Sequence, residues 1–327
     1  MRYGMPYKGS KNAIAKKIVE ILPPADTLVD LFAGGCAVTH CAMTQDKYKH
    51  YIANDTNNYP SMLIECFEGK HTTKTHDKWI TREEFKEKKD TDNYIKYCWS
   101  FGNNGKDYAF GKGVQTDWNH GMWQALFHND FSIISNYGID CEELRAIRGG
   151  IPERKKHLNQ ILKRYFDTKG SHLYVSDDKL KTLPYETAKR LIPLERLIGL
   201  ELLQSAQATH RLECLENDEY TNLISVTQLD YQDVVIPENS IVYCDIPYIG
   251  TNSGSYQGFD YDRFYKWGLQ QDNIFISEYE MPDDFIPIAN FKKQVNSTAK
   301  GSTTAKKEYL FTNKQTADKY GFANIDT

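Results

Sequence analysis

An open α/β sheet, interrupted by one large insertion and closed by an antiparallel hairpin, is the fold the sequence predicts. Three observations predict it. Short apolar runs alternate with helical spacing near both ends of the chain, the stretch between residues 69 and 204 breaks that alternation, and the last two runs are joined by small polar residues.

The elements follow in order. Gly9-Ser10-Lys11-Asn12 reads as a small polar loop, and Ile14, Ile18, Ile21 and Leu22 give a helix that stops at Pro23-Pro24. Thr27 to Phe32 is too short for a helix and reads as a buried strand, followed by a turn at Ala33-Gly34-Gly35 and a helix start at Cys36. His50 to Ala53 is a second strand that delivers Asn54-Asp55, and Ser61 to Phe67 is helical. From Gly69 the text becomes polar, lysine-rich and aromatic without strand alternation, and the inserted segment reads as mainly helical. Within it, Trp99 to Gly105 and Tyr108 to Gly113 are turn-rich loops. Helical spacing returns from Tyr185 to Leu203. Strands resume at Asn222 to Val226, Ser240 to Cys244 and Asn273 to Ser277. Gln294 to Ser297 and Glu308 to Phe311 form the closing hairpin across Thr298 to Ala305. The expected division is a sheet domain at 1–68 and 205–327 and an inserted domain at 69–204.

Composition sets the outer bounds. A chain of 327 residues, 40% hydrophobic, can bury one good core and carry a second, smaller lobe. No run of about 18 apolar residues exists to span a bilayer, and the N-terminal stretch is broken by Lys, Gly and Ser, so a cytoplasmic location is expected. The seven cysteines are odd in number and form no Cys-x-x-Cys pair, so reduced, packed thiols are expected and a metal site is not. A net charge of −4 excludes a wholly basic nucleic-acid coat. Any surface for a polyanion must be local, and Arg148, Arg154, Lys155, Lys156, Lys163 and Arg164 supply the one concentrated basic patch.

In an open α/β sheet ligands sit outside the carboxyl ends of the strands. Three strands here end in acids. Asp30 precedes the Gly-Gly turn, Asp55 ends the second strand, where a carboxylate can accept from a ribose diol, and Asp245 ends the run Val242-Tyr243-Cys244 before Ile246-Pro247-Tyr248. Taken singly, the glycines after Asp30 suit any tight strand-to-helix turn, and Asp55 or Asp245 could each simply cap a helix. The set is more specific than its members, because the carboxylates fall at strand ends in one register.

In Tyr7-Lys8-Gly9-Ser10-Lys11, Asp30-Leu31-Phe32-Ala33-Gly34-Gly35, Asn54-Asp55 and Asp245-Ile246-Pro247-Tyr248, in that order, the chain resembles the Dam-type DNA adenine-N6 methyltransferases of bacteria and phages. The likeness covers about the first 70 and the last 120 residues, while the insertion is recognised mainly by its position between the two motifs. The resemblance implies a Rossmann-like sheet of the kind that binds S-adenosylmethionine (SAM), with a target-recognition domain inserted in it and double-stranded DNA as partner. It implies that Tyr7 and Lys11 lie beside the methionine part of SAM, that Asp30, Phe32, Gly34 and Gly35 line the cofactor turn, and that Asp55 holds the ribose. Asp230, with Asp233 close by, would contact the amine of the cofactor adenine.

The chemistry implied is methyl transfer to an exocyclic amine, a poor nucleophile because its lone pair is delocalised into the ring. Acceptors must draw its protons out of the ring plane. The Asp245 carboxylate and the Ile246 carbonyl suit that task, Pro247 shapes the loop, and Tyr248 can stack on a flipped base. The commonest family form has proline where this chain has Ile246, so a fixed backbone angle is lost there. Asn103, Asn104 and Arg148 are candidates for base edges, and the aromatic loop at Trp99 and Phe101 suits packing better than stacking. An N4-cytosine enzyme uses the same tetrapeptide chemistry, although motif order favours adenine. A DNA-binding relative that has lost catalysis and an enzyme acting on a protein glutamine amide are weaker alternatives. Gly34-Gly35 does not fit the Gly-x-Gly-x-x-Gly pattern of a dinucleotide oxidoreductase. Whether a cognate restriction endonuclease accompanies the chain, and whether it acts as monomer or dimer, is left open.

Overall fold

The computed structural model describes residues 2–110, 114–136, 142–146, 149–169, 204–248, 258–296 and 303–325. These belong to two units. One comprises Met1–Met5, Gly9–Glu68 and Asn217–Thr327, the other Pro6–Lys8 and Gly69–Glu216.

The first unit is built on seven strands: β1 (Thr27–Asp30), β2 (His50–Asn54), β3 (Ile224–Thr227), β4 (Ser240–Cys244), β5 (Ile274–Glu278), β6 (Phe285–Asn296) and β7 (Thr303–Asn313). Their order is β3-β2-β1-β4-β5-β7-β6. The first five are parallel, and β7 runs antiparallel to both β5 and β6. Every residue of β1, β4 and β5 is buried, as expected of central strands covered on both faces. The chain leaves β1 in one direction for β2 and β3 and returns on its other side as β4, so a topological switch point lies between the carboxyl ends of β1 and β4. Those ends carry Asp30 and Asp245.

The first helix is split. Ser10 caps a short 3-10 turn at Lys11–Ala13 by accepting from the Asn12 amide, and the α-helix proper is Ala15–Ile21. The closing hairpin is longer than the apolar runs indicate, with β6 beginning at Phe285 rather than Gln294. Pro287 hides this start, because a residue without an N–H argues against a strand. The structure accommodates it at a register shift between Pro287 and Ala289. Thr303 to Ala305, expected in the connection, belong to β7, and residues 297–302 lie outside the described residues.

In the second unit the described elements are helices: Arg82–Lys88, Asn93–Cys98, Val114–Phe127, Ser132–Ser135, Glu142–Arg145, Ile151–Lys169 and Gln204–Glu213. Their core is aromatic. Trp99 is fully buried, with ring centroids 5.1 Å from Trp79 and 4.8 Å from Trp123. Gln204–Glu213 belongs here, where the sequence reading ended the insertion at residue 204, because Thr209 hydrogen-bonds Tyr94 at 2.8 Å and Gln204 donates to the Ser100 carbonyl at 2.6 Å. The helix expected from Tyr185 to Leu203 lies outside the described residues.

Candidate active site

The turn after β1 is tied at three points. The Gly34 amide donates to Asp55 Oδ2 at 3.0 Å, the Ala33 amide to the Asn54 carbonyl at 2.8 Å, and the Met5 amide to the Gly35 carbonyl at 2.7 Å. Gly34 adopts φ +48° and Cys36 φ +56°, so the turn passes twice through the left-handed region. Asp55 is buried, and its other oxygen accepts from the Asn57 amide at 2.9 Å and the Asn57 side chain at 3.2 Å. Asn54 knots three strand ends together. Its amide donates to the carbonyls of Leu31 and Leu229, and its oxygen accepts from Thr227 and the Leu229 amide, all within 2.8–3.1 Å. Phe32 packs against Tyr231, Phe259 and Phe264, with centroids 5.5–5.8 Å away.

Asp30 lies at the floor of this turn and is 2% exposed. Thr39 donates to its Oδ2 at 2.7 Å, while Oδ1 is buried with no hydrogen-bond partner among the described residues. Burial, opposed by the Thr39 bond and reinforced by the charges of Asp245 and Asp55, pushes its carboxyl up to about 7.

At the end of β4 the side chain of Asp245 is 21% exposed and forms an ion pair with Lys11, which is itself only 4% exposed. Glu308, fully buried on β7, approaches the same ammonium at 3.4 Å. Burial pulls the Lys11 pKa down, but Asp245 and Glu308 outweigh it and the net shift is upward. The ammonium also lies 4.5 Å from the centroid of the Tyr248 ring, and Tyr279 meets that ring edge-on at 4.4 Å. Burial, with Asp245 and Glu308 adding to it, raises the Tyr248 phenol far above its ordinary value. The Pro247 carbonyl accepts from the Tyr261 hydroxyl at 2.8 Å. Ile246 is buried in the core cluster with Val242, Cys244, Phe264 and Ile274.

Residues 7–109 match the D12 class N6 adenine-specific DNA methyltransferase family. Over this stretch the chain is similar to the N6 adenine-specific DNA methyltransferases. The match carries the lysine loop, the glycine turn and Asn54-Asp55, while Asp245 to Tyr248 lie beyond it. No curated protein matches the chain.

Two of the residues expected to meet the cofactor have protein partners in this structure. Lys11, expected against the carboxylate of the cofactor, is enclosed by two carboxylates of the protein, because a buried ammonium needs nearby countercharge. Asp230, expected to accept from the cofactor adenine, is held by Arg263 through two bonds of 3.0 Å, and Arg263 also bonds the Gln232 side chain at 2.9 Å. Tyr7 belongs to the second unit, its ring 5.5 Å from that of Tyr97.

Sequence reasoning missed Glu308 and Arg263. Glu308 had a legible signal, an acid directly before the apolar run Tyr309-Leu310-Phe311 of the last strand. In the second unit, Asn103 donates to the Tyr97 carbonyl at 2.8 Å and Asn104 to Asp107 at 3.1 Å, so both amides serve their loop. Trp99 is core, whereas Phe101 is 48% exposed. Arg154 turns inward to the Ala125 carbonyl at 2.6 Å and Asn129 at 2.8 Å, which removes it from the basic patch. Arg148 lies outside the described residues, as do the side chains of Lys163 and Arg164.

Proposed function

We propose that the chain moves a methyl group from SAM to N6 of an adenine turned out of double-stranded DNA, with the Asp245 carboxylate and the Ile246 main-chain carbonyl accepting from the amine. The observation that carries this reading is the position of Asp245: a partly exposed carboxylate at the carboxyl end of β4, beside the switch point and backed by a buried ammonium.

The residues around the glycine turn fit a cationic cofactor. Among the described residues, Asp30, Asp55, Asp245 and Glu308 set four carboxyl groups near the ammonium of Lys11, and Asp30 keeps a buried oxygen without a hydrogen-bond partner. Asp30, Phe32, Gly34, Gly35 and Asp55 are the residues of the first unit that would hold SAM. When bound, SAM supplies a sulfonium methyl that is already electrophilic.

The remaining work is the protein's. Asp245 and the Ile246 carbonyl draw the amine hydrogens out of the ring plane and restore the nitrogen lone pair, and alignment of that nitrogen with the methyl group supplies most of the acceleration. Lys11 supplies the countercharge beside Asp245, and Tyr248 stacks on the base. The basic helix Ile151–Lys169 serves the phosphates of the duplex. The test is to incubate the purified protein with tritiated SAM and unmethylated DNA and to identify the labelled nucleoside. Labelled N6-methyladenine is expected, and DNA that stays unlabelled refutes the proposal.

A further inference from the structure

Glu308 is fully buried on β7, far in sequence from every motif that carries the resemblance, yet it shares the Lys11 ammonium with Asp245. A buried carboxylate costs several kcal/mol unless it is paired, so its presence at this place needs a reason. Lys11 is thus shared between the partly exposed Asp245 and the fully buried Glu308. The other charged or titratable groups that face these three are Asp30 from β1, Asp55 after β2, Tyr243 and Tyr248 from β4 and the residues after it, and Glu278 and Tyr279 from β5.

We infer that Glu308 is a positioning residue for methyl transfer: by sharing Lys11 it limits how far that ammonium neutralises Asp245, and it supplies the countercharge when Asp245 takes up a proton. This rests on the function proposed above. As the reaction proceeds, the adenine nitrogen bonds the methyl carbon while the carbon–sulfur bond breaks and its electron pair stays on sulfur. One amine proton then passes to the Asp245 carboxylate and later to water. Asp245 is neutral at that moment, and without Glu308 the buried Lys11 would stand as an uncompensated cation. With Glu308 in place the pair Lys11–Glu308 stays neutral and Asp245 can release its proton again.

The experiment is Glu308→Gln, which keeps size and hydrogen bonding and removes the charge. Three readouts are taken: the single-turnover transfer rate from pH 5 to 9, SAM binding by calorimetry, and Tm. With Glu308 neutral, Lys11 falls wholly to Asp245 and a negative charge is lost nearby, both of which lower the Asp245 pKa. The acid limb of the rate profile is therefore expected to move down by about half a pH unit or more, with the plateau rate reduced about tenfold and SAM affinity within about twofold of wild type. Glu308→Asp keeps the charge at a longer reach, so a smaller movement in the same direction is expected, and this variant carries the test if the glutamine protein does not fold. An unmoved acid limb and plateau in a folded variant overturns the inference, as does a fall in Tm with the limb in place, which is what a merely structural role gives. If wild type itself puts no label into adenine, it is the underlying function that fails.

Discussion

Asp30 and Asp245 end neighbouring strands and have the same side chain, but their surroundings give them different properties. Asp245 reaches solvent and touches an ammonium. Among the described residues Asp30 accepts its side-chain hydrogen bond from the Thr39 hydroxyl, and burial raises its carboxyl to about 7. A carboxylate whose folded pKa lies above its ordinary 3.8 contributes stability that is complete below about pH 4 and lost as pH rises through about 7. Asp30→Asn should therefore raise Tm at pH 8, the full effect being on the order of a few kcal/mol, and the gain should shrink towards pH 5. Thermal melts at the two pH values check this, and a Tm gain equal at both would refute the charge penalty. For Asp245 the prediction concerns turnover. Asp245→Ala should leave SAM affinity within a few-fold and reduce methyl incorporation by at least ~100-fold, as expected for loss of a proton acceptor; incorporation at the wild-type rate would remove Asp245 from that role. Ile246 stands where the resemblance leads one to expect proline. Its side chain is buried in the core.

Between residue and fold stands the joint of three segments around the glycine turn. The N-terminal stretch Tyr3 to Met5 lies directly on it, and Gly4 is required there. Its φ is +63°, and a Cβ would stand 2.3 Å from the Gly35 carbonyl oxygen and 2.7 Å from the Ala37 amide nitrogen, both backbone atoms that cannot swing aside. The Gly4 amide donates to buried His40 at 3.0 Å, which locks the segment from the other side. Gly4→Ala should cost about 2–4 kcal/mol and weaken cofactor binding through displacement of the turn. Urea unfolding followed by SAM titration measures both, and an unchanged midpoint would mean that the segment is not held as described. At this scale the sequence was readable where a strand is central. The buried runs of β1, β2, β4 and β5 are short, apolar and closely bounded, whereas β6 carries Pro287 and alternates too weakly to announce its start.

Charge is distributed unevenly over the molecule as a whole. A chain with net charge −4 that acts on DNA must concentrate its cations, and Ile151–Lys169 is the described helix that does so. Arg154 on that helix is spent on bracing the end of Val114–Phe127, so Lys155 and Lys156 carry more of the remaining burden. Replacing both with Ala should weaken duplex binding and reduce the slope of log affinity against log salt by about 2, one unit for each lost phosphate contact. A fluorescence titration at several salt concentrations decides it, and an unaltered slope would mark the two lysines as merely solvated. None of the described helices is long and apolar enough to cross a membrane.

By itself the sequence determined the alternation of strand and helix, the strand ends that carry Asp30, Asp55 and Asp245, and the likeness to a family, because these are local: a buried run, a glycine turn and an acid at its end are written within a few residues. Only the tertiary structure decided what those acids face. Lys11 lies 234 residues before Asp245 and 297 before Glu308, and no periodicity or spacing announces that the three would meet. The same holds for Asp230, whose partner Arg263 comes from a helix 33 residues on. Burial explains the difference. Charges withdrawn from water must find partners wherever the fold brings them, and those partners are fixed by the packing of the sheet rather than by the neighbouring text.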